Sequence, residues 1–168
     1  MGSHIFEKRD YVEIKEGYFY FIKDEFFEKF SNYDLMQNKE NGNKRPCYFC
    51  FRDKYNSKII WFVPISSKVE KYKKIYENKT KTRRQVYNFV FGQVMGVEKV
   101  FLIQNIFPTT EEYILEKYIM NGEEVNISRV LKRQVIEASQ KVIKLAKRGV
   151  NIPFYDIISL KNTLEKTT

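Results

Sequence analysis

The apolar positions change period along the chain, and those changes divide it into elements. Gly17 to Ile22 (GYFYFI) is a run of β-favouring aromatics. Over Lys23 to Phe30, Phe26, Phe27 and Phe30 then recur at helical spacing, so a strand followed by a short helix is expected. Pro46 to Arg52 (PCYFCFR) and Ile59 to Pro64 (IIWFVP) flank Asp53 to Lys58, whose Asp, Asn and Ser favour a turn; the three segments predict a β-hairpin. Val69 to Asn78 places Val69, Tyr72, Ile75 and Tyr76 on one side of a helix and Lys71, Lys73 and Lys74 elsewhere. Val86 to Val94 and Lys99 to Ile106 predict two strands that pair, with Gly92 and Gly96 marking a bulge or turn. A short helix is expected from Thr109 through Tyr118, opened by a Thr-x-x-Glu box that Glu112 completes.

The longest periodic segment is Ser128 to Arg148. Leu131, Val135, Ala138, Val142 and Leu145 form one apolar stripe, and Gly149 stands at the position that stops a helix. A short terminal helix is expected after Pro153, around Asp156 to Leu164. Between elements, Asn32 to Lys44 is polar and carries Asn41, Gly42 and Asn43, the composition of a surface loop able to close over a ligand; Lys79 to Arg84 reads as a basic connector. Strands mixed with short helices, then a long helix, predict an α+β domain on an antiparallel sheet.

The chain has 168 residues and 43% hydrophobic content, enough for one domain with a sizeable core. Met1 to His4 reads MGSH, the form of an expression-vector remnant. Residues 1–10 are therefore set aside as a disordered N-terminus, leaving 11–168 as the single domain and no histidine within it. No stretch approaches the roughly 18 apolar residues of a spanning helix, and no secretory signal opens the chain, so a cytoplasmic protein without a membrane partner is expected.

Charge changes the picture. Lys and Arg number 30 against 21 Asp and Glu, a formal net charge of +9, and 14 Phe and 12 Tyr accompany them. Cations that neutralise phosphates release counterions, and tyrosines among them offer stacking surfaces to unpaired bases, so the natural partner is a polyanion and nucleic acid is favoured. A solvated basic surface, a membrane surface or an acidic protein would fit the charge as well. On the long helix Arg129, Arg133, Lys141, Lys144 and Arg148 form a row suited to a phosphate backbone, and equally suited to a solvated face whose last-turn cations complement the dipole.

Cys47 and Cys50 form C-Y-F-C, but there is no second Cys pair and no internal His to complete a zinc site. Residues three apart on a strand also point to opposite faces, so two reduced structural thiols and no metal are expected.

Candidate chemistry centres on Pro64-Ile65-Ser66-Ser67-Lys68, which joins a strand to a helix. Ser67 to Glu70 has the form of a capping box, and the same helix start, with two hydroxyls and a lysine, also suits a phosphate. In metal-free RNA cleavage a 2′-hydroxyl attacks the adjacent phosphorus. The enzyme must take one proton, give another and stabilise added negative charge, a task Ser66, Ser67 and Lys68 can share. No internal His is available, and no pair among the acids has the spacing of a metal-dependent nuclease.

Three segments carry a family likeness: Asn43-Lys44-Arg45-Pro46 before a strand, Pro64 to Lys68 at a strand end, and Phe101-Leu102-Ile103-Gln104-Asn105. From about Gly17 to Lys161 the chain resembles the ToxN/AbiQ type III toxins, and most closely the CptN branch. The resemblance implies an antiparallel Kid/MazF-like, SH3-like β-barrel core with peripheral helices. It implies a metal-independent, sequence-specific endoribonuclease without a cofactor, leaving 2′,3′-cyclic phosphate ends. Its implied partners are a small pseudoknot antitoxin RNA, which such toxins process and which inhibits them in a protein–RNA hetero-oligomer, and cellular or phage RNA as substrate. The implied setting is the bacterial cytoplasm, in abortive infection or plasmid maintenance.

Carried over, the family's hydroxyl pair falls on Ser66 and Ser67 and its strand-start cation on Arg45 or Lys44. The family's Ser-Pro-Lys is Ser67-Lys68-Val69 here, a shift of one position, so the lysine role falls to Lys68 or Lys71. Ser66, Ser67, Lys68 and Arg45 are thus the catalytic candidates. Lys44, Lys71, Lys73, Lys74, Arg83, Arg84, Arg133, Lys141, Lys144 and Arg148 are the RNA-binding candidates. A noncatalytic RNA-binding module and a protein-interaction domain are the alternatives.

Overall fold

A computed structural model describes residues 13–82, 85–150, 152–153 and 155–167. Its hub is a strand assembled from the IIWFVP run, Ile60–Ser66, all seven residues of which are buried. Numbering strands in chain order, this is β5. It pairs antiparallel along one edge with β4 (Cys47–Arg52), making the predicted hairpin. Its other edge serves two strands in turn: Ile60 to Phe62 face β8 (Phe107–Thr109), and Ile65 and Ser66 face β7 (Val97–Leu102). Pro64 falls where the partner changes, and a residue with no N–H to donate is tolerated there.

The sheet extends from β7 to β6 (Phe89–Val94) on one side. On the other it runs from β4 to β1 (Phe19–Ile22) and then to β9 (Ile114–Lys117), giving the order β6-β7-β5-β4-β1-β9 with every pairing antiparallel. Two strands lie between β1 and β7, so a flat sheet would hold them about 14 Å apart. The rings of Phe19 on β1 and Phe101 on β7 are nevertheless 6.1 Å apart, and Tyr48 of β4 meets both, at 5.1 and 5.7 Å. The sheet therefore curls tightly around an aromatic core. Among the described residues its end strands β6 and β9 do not pair, so the expected barrel is seen as a curled antiparallel sheet without a closing ladder.

Among the described residues four helices pack on this sheet: α1 (Asp24–Lys29), α2 (Val69–Thr80), α3 (Arg129–Lys147) and α4 (Ile157–Lys166). In α3 the predicted stripe is buried at Leu131, Val135, Ala138 and Val142, with Ile143 beside it, and Ser128 caps the helix by accepting the Leu131 N–H. Gly92 is where α3 approaches the sheet: a Cβ there would stand 2.5 Å from Leu131 Cδ1. It is a close-approach glycine inside β6, whereas the turn falls at Met95 and Gly96, both with positive φ. At the far end, α4 is tied to the β4–β5 turn by Lys161, whose ammonium is 3.2 Å from Asp53; the Trp61 indole N–H donates to the same carboxylate at 3.0 Å.

Three expectations are corrected. Residues 109–118 do not form a helix: after β8, a single 3-10 turn at Glu111–Tyr113 leads into β9, because the free edge of β1 offers a ladder that the Thr-x-x-Glu signal knows nothing of. The segment 32–44 is not an open loop. It holds a 3-10 turn at Ser31–Tyr33 and a small hairpin of β2 (Lys39–Glu40) and β3 (Asn43–Lys44). The Ser67 capping box does not form either, since Lys68 occupies the cap of α2 and Ser67 turns its hydroxyl elsewhere.

Both cysteines are free and buried, and burial pushes each thiol up to about 12. Among the described residues no helix is long and apolar enough to cross a membrane.

Candidate functional site

The small hairpin β2–β3 builds the site. Its two-residue connection, Asn41-Gly42, has positive φ at both positions (52° and 80°), the geometry that matches the twist of paired strands and that this dipeptide favours. The hairpin holds Glu40 against the start of β4 and the end of β5. Arg45 sits just before β4, only 7% exposed, with Nη1 2.5 Å from Glu40 Oε2 and donating to the Ile65 carbonyl at 3.0 Å. The other carboxylate oxygen accepts from Ser67 twice, from Oγ at 2.6 Å and from the backbone N–H at 3.0 Å. Ser66 is buried, and its Oγ accepts the Lys68 N–H at 3.1 Å.

Burial alone would raise the Glu40 carboxyl. The hydrogen bonds from Ser67 and Ser66 and the charge of Arg45 outweigh it and hold the group down to about 2. Glu40 is thus an ionised carboxylate at the meeting point of the hydroxyl pair and the buried guanidinium.

Beside this cluster opens a cleft of about 410 Å³. Its walls include Lys44, Arg45, Ser66 and Ser67, four of the residues singled out from sequence, together with Glu40, Lys99, Phe21 and Tyr118. Val94 of β6, Val97 of β7 and Met120 beyond β9 also line it, so the cleft lies where the two ends of the curled sheet approach each other. Three cations face one carboxylate. Arg45 is committed to Glu40, while Lys44 and Lys99 have no ion pair among the described residues. Phe21 and Tyr118 stand edge to face at 5.4 Å, an aromatic pair on one wall. A larger cleft, about 550 Å³, lies near α1 but carries Asp24, Glu28 and Asp34 against Lys39 alone, the wrong sign for a polyanion.

The other sequence candidates lie outside these walls. Lys68, Lys71 and Lys74 are exposed along the start and outer face of α2, with Lys71 5.3 Å from the Tyr72 ring, and Lys73 is paired with Glu98 at 3.1 Å. On α3, Arg133, Lys144 and Arg148 are exposed and Lys141 lies 5.9 Å from the Tyr87 ring, a basic strip separate from the cleft. Arg83 and Arg84 lie outside the described residues.

Sequence reasoning missed Glu40, Lys99, Phe21 and Tyr118. The Asn41-Gly42 turn signal could have located Glu40. Lys99 follows from register: Ile65 faces Phe101 and Ser66 faces Val100, and the next step of that antiparallel register sets Lys99 opposite Ser67 at the cleft. Among the described residues no three His, Cys, Asp or Glu side chains converge to hold a metal ion. No protein-family model matches the chain, and no curated protein matches it significantly.

Proposed function

We propose that this chain is an endoribonuclease toxin of the type III class, cleaving RNA without a metal and restrained by a small structured antitoxin RNA. One observation carries the proposal. The fold gathers Lys44 and Arg45, before β4, and Ser66 and Ser67, at the end of β5, onto one cationic cleft, and adds Lys99 and a tyrosine from more distant segments. Phosphodiester cleavage by a 2′-hydroxyl forms a bond from that oxygen to phosphorus and expels the 5′-oxygen, which must gain a proton as the 2′-oxygen loses one. Lys44 and Lys99 supply positive charge for the phosphorane, where fixed charge is worth most. Lys44, Lys99 and Tyr118 are the cleft donors that can give the leaving 5′-oxygen its proton, and the 2′-proton leaves to water, in a site that draws on no histidine. The curled sheet, with its core of Phe19, Tyr48 and Phe101, is read as an opened Kid/MazF-like barrel, with the cleft in the gap.

The strip on α3 supports a wider RNA footprint. From Arg133 to Arg148 the strip runs about 22 Å at 1.5 Å per residue, several nucleotides of backbone. The same strip favours the second reading, a noncatalytic RNA-binding module, because cations on one helix bind phosphates whether or not the cleft reacts.

The test is cleavage of mixed RNA by the purified chain in the presence of EDTA, with end-group analysis. Cyclic-phosphate ends produced by the wild type and lost with Lys99→Met support the toxin chemistry. Tight RNA binding with no cleavage selects the binding module, and cleavage abolished by EDTA overturns the metal-free mechanism.

A further inference from the structure

A serine hydroxyl has one proton and two acceptor lone pairs, so where the proton goes decides what the oxygen can recognise. At Ser67 the proton goes to Glu40 Oε1, 2.6 Å away, and the Ser67 backbone N–H fastens the same carboxylate oxygen at 3.0 Å. Arg45 Nη1 holds the second oxygen at 2.5 Å, so the carboxylate is clamped from both sides. Ser67 is exposed on the cleft wall, and what it presents there is lone pairs.

An oxygen that offers only lone pairs does not stabilise a phosphate. It accepts from a donor. The unpaired cations of the cleft, Lys44 and Lys99, sit elsewhere on the walls and take the anion. In RNA the donor nearest a reacting phosphate is the ribose 2′-hydroxyl, the group by which a protein tells RNA from DNA. We propose that Glu40 is a positioning residue that fixes the direction of the Ser67 hydroxyl, so that Ser67 Oγ accepts a hydrogen bond from a ribose 2′-hydroxyl and the cleft prefers ribose over deoxyribose. This rests on the RNA-cleavage function proposed above, and reassigns Ser67 from charge stabilisation to sugar recognition. Because Glu40 is held down to about 2, the polarity persists throughout the neutral range.

The test uses ligands that cannot be cleaved: nucleoside 3′-monophosphates of all four bases with ribose, 2′-deoxyribose or 2′-fluoro sugars, titrated against the full chain by NMR. The fluoro sugar keeps the ribose pucker but lacks the donor. The wild type binds the ribose form on the order of tenfold more tightly than either analogue, the scale of one net hydrogen bond. Ser67→Ala and Glu40→Gln bring the three sugars together, while Glu40→Asp, which keeps the charge, retains part of the preference. A thermal melt of each variant checks that it is folded, and Ser67→Ala, at an exposed site, serves if Glu40→Gln is not. Equal binding of the three sugars by the wild type, or a preference that survives both Ser67→Ala and Glu40→Gln, overturns the assignment. If the wild type still cleaves RNA in EDTA, only this inference falls; if it neither cleaves RNA nor binds any of the sugars, the RNase function falls with it.

Discussion

Arg45 Nη1 lies 2.5 Å from Glu40 Oε2, and the two side chains are only 8% and 12% exposed. Taking two charges out of water costs several kcal/mol per ion, which the attraction offsets only when the remaining donors and acceptors are satisfied. Here Ile65 accepts from Arg45, and Ser67 donates to Glu40 through both its hydroxyl and its backbone, while the buried Arg45 Nε is left without a partner among the described residues. A pair of this kind contributes less to stability than to placing its neighbours, and its neighbours are the hydroxyls at the cleft.

The pair has a pH signature. The folded Glu40 carboxyl is held at about 2, below its ordinary 4.5, so the unfolded chain binds more protons over that interval. Its contribution is fully present above about 4.5 and is lost as pH falls towards 2. Urea unfolding at pH 7, 4 and 3 should show a gap in stability between wild type and Glu40→Gln that narrows as pH falls. A gap constant across these values would remove the pair as its source.

Lys99 lines the cleft and Lys68 does not. Replacing Lys99 with Met should lower cleavage by on the order of a hundredfold, the scale of one lost charge-stabilising group. Lys68→Ala should leave most of the activity. Steady-state rates on one RNA substrate decide, and the reverse order would return the lysine role to Lys68.

The α3 strip predicts a salt effect. Each phosphate neutralised on a single strand contributes about 0.7 to the slope of log affinity against log salt. Replacing Lys141, Lys144 and Arg148 together should therefore flatten that slope by about 2. Fluorescence anisotropy from low to high salt measures it, and an unchanged slope takes α3 out of the interface.

Gly92 and Leu131 should be energetically coupled, since a Cβ at 92 would meet both Leu131 methyls at 2.5 Å. Gly92→Ala should cost about 1–3 kcal/mol, as overpacking does, and much less in a Leu131→Ala background. A double-mutant cycle by urea denaturation reads the coupling directly. Additive effects would mean that Leu131 moves aside freely.

The elements that local pattern specifies were legible in the chain itself. Period and turn chemistry mark β1, α1, the β4–β5 hairpin, α2, α3 and α4, because each reports which face of its own segment is buried. The positions of Arg45, Ser66 and Ser67 could be nominated from the residues and their order. The strand at Ile114–Lys117 could not: Thr109 and Glu112 are a sound local start for a helix, and only the free edge of β1, more than ninety positions earlier, makes the extended form preferable. The site has the same origin. Glu40 meets Ser67 across 27 positions, and Lys99 enters the cleft because β7 pairs with β5 in the register that sets Val100 opposite Ser66. Sequence by itself determined which segments are helix or strand and which residue types are available for chemistry. Tertiary structure decided which lysine faces the cleft and where the Ser67 proton points, because both depend on partners brought near only by strand pairing, which no local pattern encodes.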